Sequence, residues 1–125
     1  MTALGIAAPI PILRSFDEAL ARAFYVDFLG FSVDWEHRFA PNMPLYMQVS
    51  REGCVLHISE HHGDCTPGSA LRVEVRELDA LHAELSAKDY RGANPGIQEQ
   101  SWGTRDMSIT DPFGNRLIFT ADQEA

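Results

Sequence analysis

Hydrophobic residues in the first half of the chain switch from a strand-like run to a helical spacing. An apolar run from Ala8 to Leu13 is followed by Leu20, Phe24 and Phe28, which are spaced four residues apart. This spacing predicts a strand and then an amphipathic helix. Gly30 follows the last apolar position and is expected to end the helix, as glycine commonly does.

Three further strands are predicted after this helix. The first, Phe31 to Phe39, alternates, with four side chains expected on one face: Val33, Trp35, His37 and Phe39. The second, Leu45 to Val49, alternates in the same way, and the third runs from Gly53 to Ser59. The first half is therefore expected to fold as a βαβββ unit.

The second half repeats this layout. A run from Leu71 to Val75 precedes Leu78, Leu81 and Leu85, whose spacing predicts another amphipathic helix. Strands are predicted over Asp106 to Thr110 and Gly114 to Thr120. Between them, the segment 111–115 has proline and glycine where a type I turn with a left-handed residue requires them.

Equivalent positions in the two halves keep nearly the same separation. Asp17 and Glu77 lie 60 residues apart, and Gly53 and Gly114 lie 61 apart. Such offsets predict a tandem duplication of a βαβββ module. We expect an α+β fold of one domain over residues 1–125, with modules at about 8–59 and 70–121 joined by a loop. Each helix should cover one face of its sheet, and the other faces should curl around a ligand cleft.

Composition and net charge restrict which classes of molecule the protein is expected to bind. The chain has 125 residues, 45% of them hydrophobic, and a net charge of -8. With basic residues unclustered, the charge argues against nucleic acid. No apolar run is long enough to cross a bilayer. The acidity fits either solubility or attraction of a cationic small molecule. The two cysteines, Cys54 and Cys65, are expected to be reduced thiols in a cytoplasmic protein.

Several short segments resemble those of bleomycin resistance proteins in the glyoxalase (vicinal oxygen chelate) superfamily. They occur in the same order and at matching spacing: Pro11-Ile12-Leu13, Phe24-Tyr25, Leu29-Gly30-Phe31-Ser32, Val55-Leu56-His57-Ile58-Ser59, Glu99-Gln100-Ser101-Trp102-Gly103 and Asp111-Pro112-Phe113-Gly114-Asn115. The resemblance implies two βαβββ modules with cupped sheets. It also implies a homodimer whose N-terminal arm crosses to the partner at Pro11, and drug sequestration in crevices of the dimer interface without turnover.

Enzymes of that superfamily hold a divalent cation at equivalent positions of both modules. By the resemblance, these positions are Ile10, His57, Ala70 and Ile118 here. Only His57 carries a ligating group, whereas enzymatic sites commonly use three or more protein ligands. We therefore expect no metal, no cofactor and no catalytic residue. His57 would either hydrogen bond a ligand or pack in its strand, with Val55 and Ser59 on the same side. A metal-dependent enzyme that uses unrecognised ligands stays the alternative.

The connecting loop concentrates residue types that are found in zinc sites: Glu60, His61, His62, Asp64 and Cys65. Neighbouring residues in an extended chain point apart, and no second cluster completes a tetrahedral site. A solvated linker is the favoured interpretation, with Glu60 or His61 still able to contact a ligand.

The resemblance also indicates a binding surface for a flat, cationic drug. Trp102 and Phe39 would stack on its planar part, Trp35 would line the same cleft, and Asp34 and Glu99 would supply negative charge. Trp35 and Phe39 could instead fill the core, whereas Trp102 lies in a polar, glycine-containing segment where an exposed ring is expected.

Arg72 departs from the pattern of a well-known resistance protein, which has an aromatic residue at this place. A guanidinium would repel a cationic group unless Glu74 or Glu99 neutralised it. The ligand could then be another metabolite, for example a smaller or anionic aromatic compound held by Arg72.

Overall fold

The computed structural model describes residues 2–123, which form two helical regions and eight strands. In chain order the elements are β1 (Ile12–Arg14), α1 (Glu18–Ala21) with a π-helical continuation (Arg22–Phe28), β2 (Ser32–His37), β3 (Tyr46–Arg51), β4 (Cys54–Ser59), β5 (Ala70–Glu74), α2 (Leu78–Ser86), β6 (Ile97–Glu99), β7 (Thr104–Thr110) and β8 (Arg116–Asp122). The α+β class with two mixed sheets is confirmed. In the described residues, no helix is long and apolar enough to span a membrane.

The two sheets have the same strand order. In the first module the order is β1-β4-β3-β2, and in the second it is β5-β8-β7-β6. The first strand of each module pairs in parallel with the last, so that Ile12 lies beside His57 and Arg72 beside Ile118. The remaining pairs are antiparallel. The predicted βαβββ repeat is confirmed.

The first helical region begins at a capped turn. The Asp17 carboxylate accepts a hydrogen bond of 2.9 Å from the Leu20 amide, which satisfies one of the free donors of the first turn. The buried stripe consists of Ala21, Phe24, Tyr25 and Phe28. Leu20, which was expected to be part of the stripe, is exposed because the stripe begins one residue later.

Gly30 ends this helical region with a left-handed backbone, at a φ of 76°. Its neighbour Phe31 donates to the carbonyl of Tyr25 over 2.9 Å, which closes the last turn. A Cβ at residue 30 would lie 2.9 Å from Nη1 of Arg51. The left-handed φ angle therefore favours glycine at this position, and a Cβ would also displace the end of the Arg51 side chain.

Replacing Gly30 by alanine is expected to lower the free energy of unfolding by about 1–2 kcal/mol, the usual cost of a left-handed non-glycine residue. Chemical denaturation measures this change. A Gly53→Ala variant is the control, because Gly53 has no positive φ and a Cβ there meets no atom within 4 Å. Equal stabilities for the two variants would contradict this account of the helix end.

The second helix packs as predicted, with Leu78 and Leu85 buried and Leu81 against the core. Glu77 precedes it without a side-chain hydrogen bond to its first turn. Glu77 thus matches Asp17 in position but not in its capping role.

The helix-bearing faces of the two modules pack against each other in one hydrophobic cluster. The Arg51 guanidinium of the first module makes two hydrogen bonds of 2.7 Å to Glu84 of α2. The Lys88 ammonium donates to the Phe28 carbonyl over 2.7 Å, and Tyr90 stacks on the Phe28 ring with centroids 4.4 Å apart. The sheet faces that carry no helix are consequently turned away from this shared core.

The hairpin at residues 111–115 also joins the modules. Asp111 accepts hydrogen bonds of 2.8 Å from the amides of Phe113 and Asn115, and Gly114 has a φ of 92°. The Tyr25 hydroxyl donates to the same carboxylate over 2.5 Å. Burial raises the pKa of Tyr25, and the Asp111 charge raises it further. The predicted turn is confirmed, and its aspartate also binds the first helical region.

Three strand predictions need correction. The first strand begins at Ile12 rather than Ala8, since Pro9 and Pro11 have no amide hydrogen to donate to a ladder. The second ends at His37, so Phe39 lies in a loop. The short strand β6 carries no clear alternation in the sequence, so the hydrophobic pattern does not predict its position.

Candidate functional site

The open face of the first sheet carries a cluster of three aromatic side chains. Trp35 and Tyr46 are stacked, with ring planes 7° apart and centroids separated by 5.9 Å. His57 contacts both rings edge-on, at 5.3 Å from Trp35 and 5.2 Å from Tyr46. Trp35 is 44% exposed, so its ring is accessible to a ligand on this face.

A hydrogen-bond chain fixes the orientation of His57. Its Nδ1 lies 2.7 Å from the Tyr46 hydroxyl and its Nε2 lies 3.0 Å from Oε1 of Gln48. Because an amide oxygen only accepts, Nε2 carries the hydrogen and Nδ1 accepts from Tyr46. Gln48 in turn donates to Asp34 over 3.0 Å. A metal ion on either His57 nitrogen would have to displace one of these bonds.

The carboxylate at the end of this chain favours its ionised form. Hydrogen bonds, first from Gln48 and then from Ser50, lower the pKa of Asp34. At the other end, burial raises the pKa of Tyr46, and the charge of Asp64 adds to the increase. The open face therefore presents the uncharged rings of Trp35 and Tyr46 with a negative charge at their edge.

A β-bulge explains how Trp35 reaches this face. The register of β2 against β3 shifts between Val33 and Trp35, so that Val33 pairs with Val49 and Trp35 with Gln48. Val33 packs against the core and Trp35 lies on the open face. The expectation that both share one face is wrong, because an extra residue in one strand reverses the alternation after it.

Tyr46 and Gln48 were not anticipated as site residues. Their positions follow from the β3 pattern, since Leu45, Met47 and Val49 are buried and the residues between them must face outward. The alternation was therefore the available signal. The same alternation that buries Met47 and Val49 places Tyr46 and Gln48 on the opposite face of the strand.

Phe39 extends the aromatic surface beyond the end of β2. It is exposed, and its ring contacts His37 edge-on at 4.8 Å and His61 at 6.3 Å. His61 lies a further 6.3 Å from the Tyr46 ring. The rings of Trp35, Tyr46, His57, His61, Phe39 and His37 thus form one continuous row.

Trp102 lies in the turn between β6 and β7, and 65% of it is exposed. Gln123 supports the turn by donating to the carbonyls of Gln100 and Thr104 at 2.8 and 3.0 Å. Gly103 provides the left-handed residue, with a φ of 101°. The ring is thus presented by a braced turn and not by the core, as expected. Glu99, at the end of β6, is also exposed.

Arg72 lies on the open face of the second sheet, in a cavity of about 500 Å³. Its guanidinium contacts Asp106, with N to O distances of 3.2 and 3.3 Å. The carboxylate that pairs with Arg72 is therefore Asp106. The sequence had instead suggested Glu74 or Glu99 as the neutralising group. Asp106 lies on β7, which is separated by β8 from the strand β5 that carries Arg72. The order of the strands along the sequence does not predict this arrangement.

Glu60 has a structural role in the connecting loop. Its Oε1 accepts a hydrogen bond of 2.7 Å from the Leu45 amide, and its carbonyl accepts one of 2.9 Å from Arg14. The Ser59 hydroxyl donates to Asp64 over 2.6 Å and accepts from the His61 amide. Within residues 2–123 no group of three or more histidine, cysteine or acidic side chains is arranged to hold a metal ion.

The candidate residues divide into two groups on different sheets. Trp35, His57, Asp34 and Phe39 belong to the first module, and Glu60 follows its last strand. Arg72, Glu99 and Trp102 belong to the second module. Each of the two cavities described, of about 500 and 520 Å³, is lined by one module. The structure thus does not bring the two groups together in the single cleft that we expected within one chain.

The chain belongs to the glyoxalase superfamily, whose family model matches residues 1–125. No curated protein matches the chain. Among solved structures, it is similar to a bleomycin-binding protein from the bleomycin producer Streptomyces verticillus, determined with copper(II)-bleomycin. The two are 32% identical with a TM-score of 0.69, over 97% of this chain and 100% of the other.

Two further structures show the same fold. One is a member of the glyoxalase/bleomycin resistance protein/dioxygenase superfamily from Sphaerobacter thermophilus, 24% identical with a TM-score of 0.68, over 94% of this chain and 98% of the other. The second is TnmS3, an antibiotic-binding protein from a Streptomyces species. It is 20% identical with a TM-score of 0.68, over 98% of this chain and 100% of the other.

Proposed function

We propose that this protein binds and sequesters a planar, cationic drug of the bleomycin type without chemical turnover. The observation that carries the proposal is the stacked pair of Trp35 and Tyr46 on an open sheet face, where the Trp35 ring is half-exposed and accessible to a ligand. Aromatic faces give a flat ligand a large contact area with defined geometry. The similarity to a bleomycin-binding protein supports this class of ligand.

Charge supports a cationic ligand over an anionic one. The chain carries a net charge of -8, and the Asp34 carboxylate lies at the edge of the aromatic cluster. The ionised state of Asp34 attracts a positive group beside the stacked rings. The hydrogen bonds that hold both His57 nitrogens support a binding role over that of a metal ligand.

We also propose that the chain acts as a single domain in a homodimer with exchanged N-terminal arms. Leu4 and Ile6 are exposed in an arm that precedes Pro11, whose carbonyl accepts a hydrogen bond of 2.9 Å from the His57 amide. A second copy would cover these side chains and could complete a crevice that combines Trp35 and Phe39 of one copy with Trp102 of the other. Two free cysteines fit a cytoplasmic location.

Titration with bleomycin, followed by tryptophan fluorescence, tests the proposal. The chain has two tryptophans, so a Trp102→Phe variant reports on Trp35 alone and a Trp35→Phe variant reports on Trp102 alone. We expect saturable quenching in both variants, because a stacked ligand should contact each ring. An unchanged Trp35 signal up to millimolar drug would contradict binding at the first sheet.

Metal content separates binding from metal-dependent catalysis. We expect the dialysed protein to bind the drug without a resident divalent ion. A divalent ion that stays with the protein through dialysis in proportion to the chain would contradict the proposal and favour an enzyme.

A further inference from the structure

The cavity on the open face of the second sheet is built around one half-exposed guanidinium. Eight residues line it: Arg72, Glu74, Val75, Arg76, Thr104, Thr120, Ala121 and Asp122. The Arg72 side chain is 46% exposed, whereas the Asp106 side chain with which it pairs is 7% exposed. The cation is thus accessible from the cavity, while its counter-ion lies beneath it.

Asp106 is held as a fixed anchor for Arg72. Its carboxylate accepts hydrogen bonds from the hydroxyls of Thr120 at 2.7 Å and Thr104 at 3.0 Å, in addition to those from Arg72. Thr120 also accepts from Arg72 at 3.2 Å. Although burial raises the pKa of Asp106, the hydrogen bonds from Thr120, Arg72 and Thr104 lower it overall. The carboxylate therefore stays ionised, and the guanidinium is pre-positioned before a ligand arrives.

This pairing neutralises the charge of Arg72 but leaves its hydrogen-bond donors. With Arg72 and Asp106 neutralising each other, the remaining charged lining residues are Arg76, Glu74 and Asp122, one positive and two negative. An anion entering the cavity would meet a net negative charge. The Nε hydrogen of Arg72 makes no hydrogen bond to any residue in the range 2–123, and a guanidinium can only donate.

We propose that this cavity binds an uncharged carbonyl group, such as an amide, through the Arg72 guanidinium. The inference rests on the proposed binding function and adds the chemistry of a second contact region of the ligand. It replaces the expectation that Arg72 selects an anionic ligand. Asp106 acts as the positioning residue, which sets both the direction and the effective charge of the donor.

Three single-ring probes of similar shape test this chemistry: benzamide, benzoate and benzylammonium. The signal to follow is the Nε–H resonance of Arg72 in ¹⁵N-labelled protein, assigned by its loss in Arg72→Gln. We expect benzamide to shift this resonance saturably at millimolar concentration, and to bind about tenfold more tightly than benzoate. Tighter binding of benzoate or of benzylammonium, or no shift with any probe, would overturn the proposal.

Substitutions distinguish the role of Arg72 as a hydrogen-bond donor from the effect of its charge. Arg72→Gln is expected to lose about tenfold in benzamide affinity, as for loss of a hydrogen bond from a charged donor. Arg91→Ala is the matched control, because Arg91 is exposed and lies outside the cavity. Asp106→Asn leaves the guanidinium without its counter-ion, and we expect it to reverse the preference in favour of benzoate. If folded Asp106→Asn keeps the benzamide preference, the proposed neutralisation is wrong.

The outcome is distinguishable from that of the drug titration, because Trp35 in the Trp102→Phe variant reports on the first sheet and the Arg72 resonance reports on the second. Quenching of Trp35 by bleomycin with no probe response at Arg72 would refute only the carbonyl site. A probe response at Arg72 with no quenching in either tryptophan variant would instead refute the drug-binding role.

Discussion

An Asp111→Ala variant is expected to lose more than about 3 kcal/mol of unfolding free energy. The carboxylate accepts hydrogen bonds from the Tyr25 hydroxyl, the Asn115 side-chain amide and the backbone amides of Phe113 and Asn115. Asp111 and Asn115 are both buried, so removing the acceptor leaves the Tyr25 hydroxyl and the two backbone amides without this partner, whereas the Asn115 side chain keeps its bond to the Arg14 carbonyl. Each unsatisfied buried group costs about 1–3 kcal/mol. Chemical denaturation, monitored by circular dichroism, measures the loss.

Two companion variants keep this prediction testable if Asp111→Ala does not fold. Tyr25→Phe removes one of the donors, and we expect a loss of about 1–3 kcal/mol. Asp89→Ala removes an exposed carboxylate in a loop and is expected to change stability by less than about 0.5 kcal/mol. Equal stabilities for Tyr25→Phe and Asp89→Ala would show that the contact between Tyr25 and Asp111 does not stabilise the protein.

The second large effect is expected on drug affinity. Replacing Trp102 by alanine should weaken bleomycin binding by about 30-fold or more, which corresponds to the roughly 2 kcal/mol of an aromatic hot spot. The fold should be unaffected, because the ring is exposed and the turn is supported by Gln123. Calorimetric titration gives the affinity, and the melting temperature gives the stability.

Trp102→Phe provides the matched comparison, since it keeps an aromatic face of smaller area. We expect it to retain most of the affinity that the alanine variant loses. Should Trp102→Ala bind as tightly as the unmodified protein, then the ligand does not stack on this turn. The contact would then be confined to the first sheet.

Local sequence features predicted the parts of the fold that depend on neighbouring residues. Gly30 ends the first helical region and the segment 111–115 forms its turn, each for reasons contained within a few residues. The duplication was visible because equivalent residues keep their spacing. These features were enough to place the helices and most of the strands.

The site was harder to predict because it depends on register and on non-local pairing. A one-residue bulge after Val33 decides which face Trp35 occupies, and no residue type in the segment marks it. Arg72 meets Asp106 because β8 lies between β5 and β7, an arrangement that alternation within a strand does not reveal. Motif resemblance indicates Trp102 and Phe39 as binding residues, which stays a prediction, and the sequence pattern did not identify Asp106 as the partner of Arg72.

The contacts of Arg51 with Glu84, and of Lys88 with Phe28, make each half of the molecule dependent on the other. If the chain were cut in the loop between them, each fragment would expose the apolar stripe of its helix, and the Phe28 carbonyl of the first fragment would lose the Lys88 donor. A one-unit precursor of this protein would therefore have required a second identical unit to bury the same surfaces. Joining two such units in one chain makes the burial of these surfaces independent of protein concentration.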